Sequence, residues 1–570
     1  MKPIIRDYLA SLKEREELDA ILPDLLSELG FTVYSRPGRG TTQYGVDIAA
    51  VGEDEDGERK VFLLSVKRGN LTRQDWDGTP QGLRSSLNQI RDAYIPTRIP
   101  KRYKDLKIVI CFCFGGDMQE QLRTDVTGYI EKNTTERISF DEWNGDKIAG
   151  LILHGILREE ILPKAFQSSF RKAVAMVDEP DVAYRHFADL TRRLQEIAKG
   201  SQKARVSAAR QLYISLWILF VWARDIDNLE APYRASELAL LHVWNLQRPF
   251  IGKKSKNSRA INAVLHQLVH LHLTISAEFL DRKVFPHVEK RHALSMAVDT
   301  RSSVDVNLKL FDLLGRIAMT GLWFHWIFKF GNGEVEPEMQ EKIAEWSTNG
   351  FKLIQNNPAL FSPVCDQQAI EIALFLILSA TNSDSETDVS QWLHEMVDRL
   401  VFAVRTHGKY PCVYTDYRDL CNHPRERSDE YRKDATSASI LIPLLAAWLS
   451  ALNDRDALNK LAELKKSELE HCTLQLWLPD SNTEDELYVG GHGHGAALCD
   501  LPISPTGKEL LDTIVEGCER ESSFTKLSPN VTGFWPIILL ACRHYRHPIP
   551  PQFWIESVRS IDSANSDAGT

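Results

Sequence analysis

The chain has 570 residues, 43% of them hydrophobic and 26% charged, and a formal net charge of −10. This length exceeds one ordinary core, and the composition is typical of a soluble globular protein, which argues against a disordered chain. Nine cysteines without a CxxC pair provide no zinc signature and indicate reduced thiols in the cytoplasm.

The sequence predicts no association with a membrane. The N-terminal stretch 1–18 carries charges at helical spacing and lacks the apolar core of a signal peptide. The longest apolar run, 212–223, is too short to span a bilayer and predicts a buried core helix.

Helical and strand patterns alternate over the first 165 residues. A helix with a leucine-rich stripe is predicted over 12–29, and Gly30 is its stop signal. The elements predicted after it are a strand at 31–38, a hairpin within 45–67, a helix at 83–94, a strand at 106–116, a helix at 119–133, and a strand running into a helix within 136–157. This order predicts an α/β domain in which helices flank a central mixed sheet.

The hairpin within 45–67 brings two chemically useful residues together. An antiparallel register about an acidic turn near 56–57 places Asp47 opposite residues 65–67, so that its carboxylate meets the Lys67 ammonium. Such a pair suits a Mg²⁺ site, where the carboxylate binds the ion and the lysine orients water or stabilises charge on a phosphate. The structural alternative is a cross-strand salt bridge at a sheet edge.

Several short motifs occur in an order that resembles a known family. A helix ending in Leu-Gly-Phe is followed by a Val-Asp-Ile strand at 46–48, a strand ending in Val-Lys-Arg at 66–68, and the segment DEWNGDKIAGLI at 141–152. This series resembles the restriction-endonuclease-like PD-(D/E)xK nuclease superfamily, especially its Mrr-type branch. The resemblance covers roughly residues 12–160, under a third of the chain.

The resemblance implies a catalytic site on the hairpin. Asp47 matches the metal-binding aspartate of the motif, and Lys67 matches its catalytic lysine. On the first helix, Asp19 and Glu17 match two positions at which the family places an acid. The implied reaction is hydrolysis of a phosphodiester bond with Mg²⁺ or Mn²⁺ as cofactor.

The sequence departs from the family at Ser65, where the motif usually has Glu or Gln. Because serine offers only a neutral oxygen, metal binding would depend on Asp47, on the carbonyl of Val66, and on one of the two acids of the first helix.

A basic stretch follows the hairpin. Residues 59–107 contain twelve Lys or Arg and four Asp, a local net charge of +8. A phosphate backbone is a suitable partner for such a surface, with Arg68 and Arg73 as contacts and Gln89 as a polar helper near the site. A solvated helix and loop with a charge bias is the alternative.

Helical periods dominate after residue 163, and a large all-α region is predicted. A soft boundary near 381 divides it, which gives three parts: 1–165, 166–381 and 382–570. Within it, Lys253, Lys254 and Lys256 form a basic loop that either tracks a phosphate backbone or is simply exposed.

One glycine-rich segment of this region, 488–500, holds His492 and His494, which can chelate a metal, although a tight connection between helices is the preferred interpretation.

Together these patterns predict a cytoplasmic, Mg²⁺-dependent nuclease. DNA is the expected substrate, the helical region is expected to bind a protein partner or trigger, and a homodimer is expected. The family resemblance suits a prokaryotic restriction or anti-phage defence effector. The competing hypotheses are a catalytically inactive nucleic-acid-binding or scaffold protein and an RNA nuclease.

Overall fold

The computed structural model describes residues 2–12, 18–36, 43–54, 56–80, 82–155, 164–332, 337–382, 385–407 and 412–568. The chain forms two compact units, here called unit 1 and unit 2. Unit 1 comprises Met1–Ala235 and Gly252–Leu268, and unit 2 comprises Ser236–Ile251 and Val269–Thr570. The domain boundaries predicted at 165 and 381 stay predictions.

A five-stranded mixed sheet forms the centre of the N-terminal part of unit 1, as the sequence predicts. The strands are β1 (Thr32–Ser35), β2 (Ile48–Glu53), β3 (Arg59–Lys67), β4 (Ile108–Phe114) and β5 (Ile138–Trp143). They lie in the order β1-β2-β3-β4-β5. The pairs β1–β2 and β2–β3 are antiparallel, whereas β3–β4 and β4–β5 are parallel, so the carboxyl ends of the last three strands share one edge.

Helices cover both faces of this sheet. They are α1 (Lys2–Ser11), α2 (Asp19–Glu28), α3 (Arg73–Asp77), α4 (Leu83–Gln89), α5 (Ile95–Arg98), α6 (Glu120–Asn133) and α7 (Gly145–Gly155). Val61 and Leu63 of β3 pack with residues of α3, α4 and α6 in one apolar core. On the opposite face, the ring of Phe62 packs against the ring of Phe31, which lies three residues after the end of α2. Alternate β3 side chains therefore pack into different cores on the two faces of the sheet.

The helix predicted over 83–94 is interrupted. After α4 the chain makes a π-helical turn, Ile90–Tyr94, before it resumes as α5. The buried residues Leu83, Leu87, Ile90 and Tyr94 still line one side, because the wider turn adjusts their spacing.

Helices dominate the rest of the chain. In unit 1 and the segments that follow they are α8 (Lys164–Ala175), α9 (Pro180–Ala198), α10 (Gln202–Asp225), α11 (Glu230–Gln247), α12 (Lys256–Lys283), α13 (Ala293–Met296), α14 (Ser303–Asn332), α15 (Pro337–Asn356), α16 (Ala369–Ser379) and α17 (Glu386–His407). They continue with α18 (Tyr417–Asn422), α19 (Asp429–Ala435), α20 (Leu441–Ala451), α21 (Arg455–Ser467), α22 (Thr483–Glu486), α23 (Lys508–Arg520), α24 (Ser523–Lys526), α25 (Ser528–Thr532), α26 (Pro536–Tyr545) and α27 (Ile555–Ala568).

The prediction of an entirely helical C-terminal region is wrong in one respect. Unit 2 contains a small sheet of β6 (Ala438–Ser439), β7 (Thr473–Leu478) and β8 (Ala496–Cys499). Its strands are short, and only β7 alternates clearly between buried and more exposed residues. The glycine-rich segment 488–500 therefore leads into a strand and does not join two helices.

Among the described residues, one helix is long and apolar enough to cross a membrane, namely Gln202–Asp225. Of its most apolar window, 72% is buried inside the protein, as in the core helix of a soluble protein. This burial agrees with the core helix predicted over 212–223.

Candidate functional site

The hairpin has the register that the sequence predicts. Ile48 pairs with Leu64, and Glu53 pairs with Arg59, which centres the turn on residue 56. One step before the first of these pairs, the backbone N–H of Asp47 donates to the carbonyl of Leu64 at 2.8 Å. Asp47 therefore lies beside the end of β3, within the segment where the prediction placed it.

The Asp47 carboxylate is fixed by the main chain of the neighbouring strand. Its Oδ2 atom accepts a hydrogen bond of 2.7 Å from the backbone N–H of Val66. This bond brings the Asp47 side chain next to the Val66 peptide, two of the groups predicted to bind a metal. Because the carboxylate is held from one side, its position is set before any ligand binds.

Ser65 and Lys67 extend along the same strand. By strand alternation they share the β3 face of Val61 and Leu63, toward α4 and α6. Ser65 is only 1% exposed, whereas Lys67 is half-buried at the strand end. The structure thus places the Asp47 carboxylate, the Val66 main chain and the Lys67 residue within one short stretch of the sheet edge.

The two acids predicted on the first helix, Asp19 and Glu17, do not belong to the hairpin. Asp19 is the first residue of α2, and this helix ends near Phe31, whose ring packs against Gly52 close to the hairpin turn. The α2 helix packs beside β1 and β2. The place of the Asp19 side chain relative to Asp47 stays a prediction. Glu17 lies outside the described residues.

A second carboxylate and lysine lie on the same sheet edge and were not predicted. The Lys147 ammonium contacts both carboxylate oxygens of Asp141, at 2.9 and 2.7 Å. Burial raises the pKa of Cys113 well above its usual value, and the negative charges of Asp141 and Asp47 add to this effect. The two carboxylates thus act on one buried thiol. The DEWNGDK segment offered these residue types, but its sequence does not show their distance from Asp47.

These residues fit one kind of Mg²⁺ site. Within the described ranges, no group of three or more His, Cys, Asp or Glu side chains is arranged to hold a metal. Mg²⁺, however, usually keeps several waters and is bound through one or two carboxylates together with substrate phosphates. Asp47 and the Val66 carbonyl suit such a site, and the second carboxylate, Asp19, stays a prediction.

The basic stretch 59–107 is partly neutralised in the fold. Lys60 pairs with Asp54 and Glu58, and Lys107 pairs with Glu58. These acids lie just before the stretch, so the local charge counted from the sequence overstates the positive surface. Arg98 lies against the loop that precedes β2 and carries Asp47, here called the site loop. Its guanidinium is 5.5 Å from the ring centre of Tyr44.

The predicted nucleic-acid contacts differ in their surroundings. Arg73 forms ion pairs with Asp77 and Asp125, which reduce its attraction for phosphate. Arg68 is exposed and directly follows Lys67. Gln89 is exposed on α4, three residues after Ser86. Elsewhere in unit 1, the loop residues Lys253, Lys254 and Lys256 are all exposed. Their role in binding stays a prediction.

Gly45 connects the site loop to α4. It has a φ of +79°, and a Cβ atom built on it would lie 2.3 Å from the backbone carbonyl oxygen of Ser86. A side chain at this position would push the loop that carries Asp47 away from the helix. Glycine is thus required here for both its conformation and its size.

Replacing Gly45 with alanine is expected to lower the free energy of unfolding by about 1–3 kcal/mol more than the same change at Gly57. Gly57 is a matched control, since its φ is +77° and a Cβ atom there meets nothing within 4 Å. Thermal unfolding of both variants measures the difference. Equal destabilisation of the two variants would show that the close approach of Gly45 to Ser86 does not contribute to stability.

The comparisons with known proteins add nothing to this geometry. No protein-family model, curated protein or solved structure matches the chain.

Proposed function

We propose that the N-terminal domain is a Mg²⁺-dependent nuclease with a PD-(D/E)xK-like site, as the family resemblance implies. The single observation that carries the proposal is the hydrogen bond from the Val66 N–H to Asp47, which fixes a carboxylate beside the strand end that bears Lys67. The site also lies at the carboxyl ends of the parallel strands, where open α/β sheets commonly bind ligands.

The reaction is hydrolysis of a phosphodiester bond. When bound, Mg²⁺ would polarise the scissile phosphate and lower the pKa of a water molecule. Asp47 supplies the fixed negative charge that holds the ion at the strand end. Lys67 orients the attacking water and stabilises the negative charge that develops on the phosphate. Water adds to phosphorus as the bond to the leaving oxygen breaks, which yields one phosphate end and one hydroxyl end.

The biological setting is a proposal that rests on the same resemblance. It is a cytoplasmic restriction or anti-phage defence effector that acts on DNA and is controlled by a partner or trigger bound to the helical region. The proposal includes a homodimer, because one such site cuts one strand and two copies are needed to cut both.

Nuclease assays with the charge-removing variant Asp47→Asn test the proposal. Asparagine keeps a side-chain oxygen for the Val66 N–H but removes the negative charge, so the fold is expected to persist. Cleavage of plasmid, single-stranded DNA and RNA with Mg²⁺ or Mn²⁺ is expected to fall at least about 100-fold. Asp56→Asn, in the exposed turn of the same hairpin, is the matched control and is expected to cut like the wild type.

One observation favours a second candidate function, a nucleic-acid-binding protein without catalysis. Ser65 is buried and neutral where the family usually has an acidic or amide side chain. If wild type and Asp47→Asn bind the substrates equally and neither cuts them with either metal, the binding function is correct. Cleavage of RNA alone would instead identify an RNA nuclease.

A further inference from the structure

Three histidines converge in unit 2. His492 and His494 lie in the loop between α22 and β8, and His547 follows α26 by two residues. The ring centres of His494 and His547 are 4.7 Å apart, and those of His492 and His547 are 6.1 Å apart. The indole of Trp477 stacks against His547 with an interplanar angle of 17°, which supports the ring from one side.

Two of these rings are buried and their nitrogens are poorly paired. His494 is 8% exposed, and within the described residues neither of its ring nitrogens makes a well-aligned hydrogen bond. The same holds for the Nε2 atom of His547. The backbone of Gly491 interacts with both rings. Because buried polar atoms are normally well hydrogen-bonded, such nitrogens are available to a ligand.

The spacing of the rings suits a shared metal ion. Two imidazoles on one tetrahedral Zn²⁺, each at about 2.0–2.1 Å from the ion, have ring centres roughly 5 Å apart. The distances of 4.7 and 6.1 Å lie on either side of this value. In the described part of the chain no three such side chains are arranged to hold a metal, so binding requires the rings to move.

The glycine-rich loop carries two of the three rings. Gly490, Gly493 and Gly495 all have φ between +76° and +85°, a conformation that favours glycine, and a Cβ atom at Gly493 would meet nothing within 4 Å. A Cβ atom at Gly490 or Gly495 would lie 2.7 Å from Tyr545 or 1.9 Å from Trp477, so these two glycines let the loop pack closely beside the rings. His492 is exposed next to Gly493.

Two carboxylates lie near this cluster. The negative charges of Asp480 and Glu486 act on His494 and would offset part of the charge of a cation.

We propose that His492, His494 and His547 form a binding site for a divalent transition-metal ion of the Zn²⁺ class. Imidazole is a preferred ligand of such ions, and water or a nearby carboxylate completes the coordination. Bound metal ties the glycine-rich loop to the end of α26. The site is independent of the proposed nuclease site and of its Mg²⁺.

Metal titration of the full chain tests this site. After treatment with EDTA, the wild type is expected to bind one Zn²⁺ by calorimetry and to give the visible absorption of tetrahedral Co²⁺. His547→Ala and His492→Ala are each expected to weaken Zn²⁺ binding by at least about 100-fold. His492 is exposed, so its replacement leaves the fold intact and keeps the test valid if His547→Ala unfolds.

His270→Ala is the matched control. His266 and His270 lie one helical turn apart on α12, a spacing at which two histidines can share a metal. His270→Ala is expected to bind Zn²⁺ like the wild type. The proposal is overturned if the wild type binds no Zn²⁺, if His492→Ala binds it unchanged, or if His270→Ala removes the binding.

Discussion

Replacing Lys67 with alanine is expected to reduce phosphodiester cleavage by about 10²–10³-fold. The reason is the position of this residue at the end of β3, beside the Val66 peptide that holds Asp47. Removing the ammonium takes away the charge that stabilises the developing phosphate negative charge, while the hydrogen bond to Asp47 persists. The measurement is the initial rate of cleavage at saturating Mg²⁺, on the DNA or RNA substrate that the wild type cuts.

Two further variants separate catalysis from folding and from general charge. Lys67→Arg keeps the positive charge and is expected to retain more activity than Lys67→Ala, although less than the wild type because its geometry differs. Lys101→Ala removes an exposed lysine of the same domain and is expected to cut normally. The free energy of unfolding should change by less than about 1 kcal/mol in each variant. Wild-type rates in Lys67→Ala would exclude the catalytic role of this lysine.

The hairpin could be predicted because its determinants are local. Strand alternation and an acidic turn lie within 45–67, and together they fix which residue faces which. The bond from Val66 to Asp47 follows from that register. By contrast, the distance from Asp47 to Asp141 depends on the order of the strands, and that to Asp19 on helix packing. Short motifs encode neither.

Other features could not be predicted because their signals are weak or distant. β6 has only 2 residues and β8 has 4, so neither shows a strand period, and β7 alone reads as an isolated alternating run. The loop histidines were visible in the sequence, but His547 lies 53 residues after His494. Only the packing of α26 against the β7 side of unit 2 brings its ring to them.

Replacing Arg543 with alanine is expected to destabilise unit 2 by about 3–5 kcal/mol. Arg543 is 6% exposed and forms ion pairs with Glu237, which is 2% exposed, and with Asp312 at 2.5 Å. The Nδ1 atom of His544 lies 3.0 Å from the second oxygen of Glu237. Removing the guanidinium takes the main counter-charge from the buried Glu237 carboxylate, and that uncompensated charge is the main cost. Calorimetry and urea unfolding at pH 7 measure the loss.

The same variant makes a prediction about pH. Burial alone would raise the pKa of Glu237, but the charges of Arg543 and His544 outweigh it and lower the pKa to about 2. A carboxyl group whose pKa is lowered by folding stabilises the protein above its unfolded pKa of about 4.3, and this stability is lost as the pH falls toward 2. Without Arg543, burial raises the pKa of Glu237 and removes this contribution. The stability difference between wild type and Arg543→Ala is therefore expected to be large at pH 7 and to shrink steadily as the pH falls toward 2.

Two controls assign this effect to the buried charge. Arg559 forms an exposed ion pair with Glu556 at 3.4 Å, so Arg559→Ala is expected to cost less than about 1 kcal/mol at any pH. In the double variant Arg543→Met with Glu237→Gln, the uncompensated charge is absent, and part of the lost stability should return. If Arg543→Ala were as stable as Arg559→Ala, or if its deficit did not depend on pH, the ion pair with Glu237 would not be what holds this part of unit 2 together.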